Sequence, residues 1–123
     1  YHIVVGVDTS QAVAANRVKM YINGTQVTSW NTETYPDQNA VLDTNESGAA
    51  IQIGCMKGPA HYFHGYMAEV VFIDGTQYAA SDFGEFDEDS PQIWKPKDVS
   101  GLTFGTNGFY LDFEDSGTLG TFC

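Results

Sequence analysis

Apolar residues alternate with polar ones in short runs along this chain, and glycine, asparagine or proline breaks each run within a few positions. Val18, Met20 and Ile22 alternate with Lys19 and Tyr21, Asn23-Gly24 follows, and Thr25-Gln-Val-Thr28 resumes the extended pattern. Asn-Gly between two such runs predicts a two-residue type I′ hairpin, because both central residues must take positive φ. Ile3-Val-Val-Gly-Val7 predicts a short strand ended by Asp8-Thr-Ser10. Ala50-Ile-Gln-Ile53 alternates and stops at Gly54, predicting another. Phe109, Leu111 and Phe113 alternate with Tyr110, Asp112 and Glu114 after the turn Thr106-Asn-Gly108, which predicts a half-buried strand.

The densest apolar stretch is His61-Tyr-Phe-His-Gly-Tyr-Met-Ala-Glu-Val-Val-Phe-Ile-Asp74, closed by Gly75. Its β-branched and aromatic content and its Asp-Gly ending predict a well-buried central strand. Gly65 inside it marks a bulge or a close backbone approach. Met67, Val70 and Phe72 share one face only if the strand slips by a residue, which a bulge allows.

Residues 29–48 form a long polar excursion carrying Trp30 and Tyr35, and a loop of that kind either binds something or packs back onto a sheet. Tyr78-Ala-Ala-Ser-Asp-Phe-Gly84 predicts one helical turn capped by Ser81 or Asp82. Residues 85–91 read as an acidic loop, and Pro96 keeps Ile93-Trp-Lys-Pro-Lys97 extended. There is no sustained helical period, while short strands recur between turn signals. The expected fold is all-β, an antiparallel β-sandwich of the jelly-roll kind, in a single domain over 1–123.

At 123 residues, 42% hydrophobic and 14% aromatic, the chain has the material for one core and not the composition of a disordered segment. Sixteen acidic residues against five basic give a net charge of −11, which argues against nucleic acid as a partner. No apolar run approaches the ~18–20 residues of a membrane-spanning helix, so no membrane insertion is expected. Cys55 and Cys123 form neither a disulfide framework nor a metal-ligand spacing, and the expectation is an unpaired thiol packed as a small hydrophobe. The chain opens without Met inside a strand-like segment, as the continuation of a longer protein would.

Taken in order, Tyr1-His-Ile-Val-Val-Gly-Val-Asp8, Val18-Lys-Met-Tyr-Ile-Asn-Gly24, Ile51-Gln-Ile-Gly54 and residues 62–73 resemble the later part of a laminin-G-like, concanavalin A-like jelly roll. Ser81-Asp-Phe-Gly84, Trp94-Lys-Pro96 and Gly105-Thr-Asn-Gly-Phe-Tyr-Leu-Asp-Phe113 narrow this to the version found in structural proteins of tailed phages. The resemblance implies a sandwich whose first strands precede Tyr1, so that the fold is incomplete in this chain and is finished by upstream residues or by a neighbouring chain. It implies a non-catalytic virion module on the particle surface, part of an oligomeric assembly. Its partners are then other virion structural proteins or a host-surface glycan. The second reading is a carbohydrate-binding, lectin-like domain of a secreted or cell-surface protein, with a glycoside hydrolase last.

Candidate chemistry follows from the same residues. Trp30, Asn31, Tyr35 and Tyr62 combine aromatic faces with amide chemistry and are the ligand-binding candidates, although packing explains each of them as well. Trp94, close to Pro96, reads first as a packing residue. Asp87 and Asp89 head an acidic run, Asp82 to Asp89, of hard oxygen ligands suited to Ca²⁺, and laminin-G-like domains often hold calcium near the ligand rim. The run lacks the alternate spacing and glycine hinge of a calcium loop, so a solvated loop is the stronger reading; Asp8 is a weaker candidate of the same kind. His61 and His64, three apart on an extended chain, point to opposite faces and do not make a metal pair. Asp112 and Glu114 could flank a glycosidic bond, but the three-carboxylate Glu-x-Asp-x-x-Glu order of glucanases is missing, and no enzyme is expected.

Overall fold

The computed structural model describes residues 1–45, 51–56 and 61–113. Ile3–Val7 forms β1, Val18–Ile22 β2 and Thr25–Gln26 β3, making an antiparallel sheet in that order. Val4 lies opposite Tyr21, Val5 opposite Met20 and Val7 opposite Val18. The predicted hairpin is present, with Asn23 at φ 49° and Gly24 at φ 77°. That pair of left-handed residues gives the turn a twist matching its strands. Asn23 also closes the sheet's end, since its Oδ1 accepts from the His2 backbone N–H at 2.8 Å.

Val70–Phe72 forms β4, Ala80–Phe83 the single helical turn α1, Gly84–Phe86 β5, Trp94–Pro96 β6 and Phe109–Leu111 β7. β4 pairs antiparallel with β7, and β5 with β6. Among the described residues the chain is therefore all-β, every strand pair is antiparallel, and the sheets are small. The helical content of these residues is α1 and two 3₁₀ turns, Ala14–Asn16 and Asp43–Asn45.

Two compact units share the chain. The first combines Tyr1–Val41 with Thr76–Thr103; the second draws on Leu42–Gly75 and the chain from Phe104 onward. In the first unit, Trp94 is the central packing residue. Its indole N–H donates to Nδ1 of His2 at 3.0 Å, its ring meets Phe86 edge-on at 5.0 Å, and a Cβ added at either Gly24 or Gly84 would overlap it. Among the described residues Ala80 and Val99 are the buried apolar ones, at 4% and 3% exposure. In the second unit, Phe72 and Phe109 stack at 5.6 Å across the β4–β7 pair, and Asp74 holds the turn that follows β4 by accepting from the Asn107 side chain at 3.1 Å.

Several expectations are corrected. The predicted central strand shrinks to Val70–Phe72, because His61 and Glu69 take φ 55° and 57°, a left-handed conformation that no strand accommodates. Residues 51–53 carry the alternation of a strand but form none, and no strand pairing joins them to another described residue; alternation makes a segment fit to pair, and pairing needs a neighbour in register. Phe113 at φ 59° ends the last extended run early, after Leu111. Glu85 and Phe86 belong to β5, so the acidic loop begins only at Asp87. The helical turn is capped from within: Ala79 is the N-cap, and Asp82 reaches back to accept from its backbone N–H at 2.7 Å. Cys55 is disulfide-bonded, not an unpaired thiol. Ala50, Glu114 and Cys123 lie outside the described residues.

The loop after β1 has a specific organiser. Arg17 Nε donates to the Gln11 carbonyl at 2.8 Å, Nη1 to the Pro36 carbonyl at 2.9 Å and Nη2 to the Ala12 carbonyl at 3.1 Å. One guanidinium thereby ties two separate loops to the end of β2, as a planar five-donor fork can and a flexible ammonium cannot. Arg17→Met is expected to lower the unfolding free energy by about 2 kcal/mol, since bonds donated by a charged group contribute more than neutral ones and three carbonyls lose their donor. Urea unfolding followed by circular dichroism checks this, and Arg17→Lys is expected to recover less than half of the loss.

Candidate functional site

The ligand-binding candidates divide between the two units. Trp30, Asn31 and Tyr35 lie in the first, on the loop that leaves the hairpin; Tyr62 lies in the second. Trp30 is 46% exposed, and Asn31 beside it is also exposed. Tyr35 is half-buried, and its hydroxyl donates to Glu33 Oε2 at 2.7 Å, which raises the phenol above its ordinary pKa. The part of this loop after Tyr35 packs back onto the β1–β2 connection. Pro36 accepts from Arg17, the Asn39 N–H donates to the Thr9 carbonyl at 2.8 Å, and Thr9 Oγ1 donates to the Ala40 carbonyl at 3.0 Å. One end of the loop is thus anchored while Trp30 and Asn31 stand outward. An aromatic face beside an amide, carried on an anchored loop, can stack on and hydrogen-bond a flat polar ring.

Tyr62, 51% exposed, sits in the stretch that was expected to be a buried strand and instead lies on the surface. Phe63, Tyr66 and Met67 are exposed with it. Sequence reasoning missed this because burial was inferred from apolar density alone. The Phe63 N–H donates to the Gly54 carbonyl at 2.7 Å, which holds the start of the stretch against the segment after Ile53. At its far end Glu69 receives a hydrogen bond from the Tyr110 hydroxyl of β7. That contact also escaped the sequence reading; only the pairing of β4 with β7 brings the two together.

The acidic loop is a hydrogen-bonded turn. Asp87 Oδ1 accepts from the N–H groups of Asp89 and Ser90, both at 3.0 Å, and Oδ2 accepts from Lys95 Nζ at 3.2 Å. Asp89 is exposed and directs its backbone, not its carboxylate, to Asp87. Asp8, the weaker cation candidate, is engaged in the same way by Ser10 and by Gln11 Nε2 at 2.6 Å. Among the described residues no three His, Cys, Asp or Glu side chains converge as a metal site. His61 and His64 are both exposed, and Asp112 is exposed at the end of β7.

The hydrogen bond from Lys95, followed by those from the Ser90 and Asp89 backbones, holds the Asp87 carboxyl below its ordinary value. A depressed carboxyl favours folding above its unfolded pKa and loses that contribution as pH falls through the folded one. The thermal midpoint is therefore expected to fall on acidification below about pH 4, more steeply than in Asp87→Asn, which lacks the titrating group. Thermal melts of both proteins between pH 7 and the acid limit check the sign. Protein-family models, curated proteins and solved structures contain no match to this chain.

Proposed function

We propose that this chain is a non-catalytic, laminin-G-like jelly-roll module of a tailed-phage structural protein, working in particle assembly and adhesion at the virion surface. One observation supports this most: large apolar side chains stay on the surface of both units, while Ala80 and Val99 are the buried core among the described residues. So many exposed large apolar side chains over so small a core suit a chain that buries them against another protein. The disulfide at Cys55 is consistent with a particle surface or another extracellular setting, since such bonds persist in oxidising surroundings. Incorporation into an assembled particle, read by cross-linking mass spectrometry, is the test. Stoichiometric cross-links from residues 61–69 to a second structural protein are expected, and a chain recovered free of the particle overturns the reading.

The second reading, a carbohydrate-binding domain, draws on Trp30 and Asn31 standing outward on an anchored loop. Glycan-array binding that is abolished in Trp30→Ala selects it over assembly. A β-glucan hydrolysis activity lost in Asp112→Asn would overturn both.

A further inference from the structure

β1 is an edge strand, and its free edge is organised for pairing. Two hydrogen bonds fix which residues face β2: the Asn23 N–H donates to the His2 carbonyl and the Asp8 N–H to the Arg17 carbonyl, both at 2.8 Å. Bonded and non-bonded pairs alternate along an antiparallel ladder, so His2, Val4, Gly6 and Asp8 turn their backbone groups toward β2. Ile3, Val5 and Val7 turn theirs outward, and nothing in the described structure receives them. The same three side chains are 58%, 57% and 42% exposed. A row of unpaired N–H and C=O groups at strand spacing, flanked by bare apolar side chains, matches one occupant chemically, another extended backbone.

We propose that two copies of this chain pair antiparallel through β1, centred on Val5. In that register Val5 faces the partner's Val5 and Ile3 faces the partner's Val7, so the apolar row continues across the junction. On the opposite face Val4 meets the partner's Gly6, a large residue against a small one. At each end His2 lies opposite the partner's Asp8. Since His2 Nδ1 accepts from Trp94, its proton sits on Nε2, which leaves the imidazole one donor to offer. The other edge of the sheet, β3, is two exposed polar residues long, so the pairing closes as a two-fold dimer and does not propagate. Among the described residues the other strand edges are shorter, and the β5–β6 pair carries Glu85, Lys95 and Pro96, which discourage strand addition.

The inference deepens the assembly reading by naming a surface for it, and the two fail separately. A monomeric chain that still enters a particle overturns the β1 edge alone. The whole chain is examined by sedimentation at up to about 1 mM, the range in which a small interface associates. Salt near 0.5 M screens the −11 charge carried by each copy. A concentration-dependent dimer is expected; a monomer throughout overturns the proposal. Val5→Pro removes the outward N–H without touching the β2 ladder and is expected to weaken the dimer at least tenfold with the circular dichroism unchanged. A folded Val5→Pro protein that dimerises as before overturns it.

Should Val5→Pro fail to fold, Val5→Cys decides. Bonded antiparallel partners have Cα atoms about 5.5 Å apart, within the span of a disulfide. Val5→Cys is expected to cross-link on mild oxidation at least tenfold faster than Val41→Cys, whose position is 94% exposed and off the edge. Equal rates overturn the proposal.

Discussion

Trp94→Ala is expected to lower the unfolding free energy by about 3 kcal/mol, at the low end for a large aromatic because the ring is half-buried. The indole of β6 touches three other segments of the first unit. It covers Gly24 of the hairpin and Gly84 at the start of β5, meets Phe86 edge-on, and donates to His2 beside β1. Each contact is with a residue distant in sequence or across a strand pair, so truncation loosens the hairpin and the β5–β6 pair together. With a urea dependence of about 1.5 kcal/mol/M, the midpoint should fall by about 2 M.

Trp94→Phe separates packing from the hydrogen bond. It keeps most of the ring and leaves His2 without a donor, at a cost of about 1 kcal/mol. Partial burial holds the His2 imidazole below its ordinary value. A lowered imidazole makes folding less favourable as pH drops below the unfolded value near 6.5. Equal losses in Trp94→Phe and Trp94→Ala would show that the ring's bulk is irrelevant, contrary to the overlap found at both glycines.

The hairpin and the β1 strand were legible because their determinants are local. Asn23-Gly24 encodes its own turn, and the β-branched run Ile3 to Val7 lies beside the alternating Val18 to Ile22. The pairings that organise the rest were not, because they join residues far apart in sequence. Nothing near Glu69 announces that Tyr110 will reach it, and nothing near Arg17 announces the Pro36 carbonyl. The largest error has the same origin. Apolar density in residues 61–69 was taken as burial, yet burial needs a second surface to pack against. In the structure Tyr62, Phe63 and Met67 stay 43–56% exposed, and Tyr66 is wholly exposed. The same physical gap leaves Ile3, Val5 and Val7 uncovered. Trp30, which the sequence left open between binding and packing, stands 46% exposed on its loop, while Tyr62 reached the surface for a reason the sequence did not contain.

Removing the disulfide at Cys55 is the other change expected to have a large effect. Cross-links stabilise by limiting the unfolded chain, and losing a native one from a small domain costs about 2–5 kcal/mol. That range matters more here than in a well-packed protein, because the described core is thin and little burial is available to compensate. Cys55 also sits in the second unit beside the Gly54 carbonyl that receives the Phe63 N–H, so the bond steadies the base of the exposed aromatic stretch. Cys55→Ala, or reduction by dithiothreitol, should therefore lower the thermal midpoint. It should also speed proteolysis within residues 61–69 before it affects the β1–β2 hairpin, whose hydrogen bonds lie in the other unit. Limited proteolysis with and without reductant, mapped by mass spectrometry, distinguishes that order from simultaneous loss. Cleavage that begins in the hairpin would mean that the bond does not act locally on the second unit.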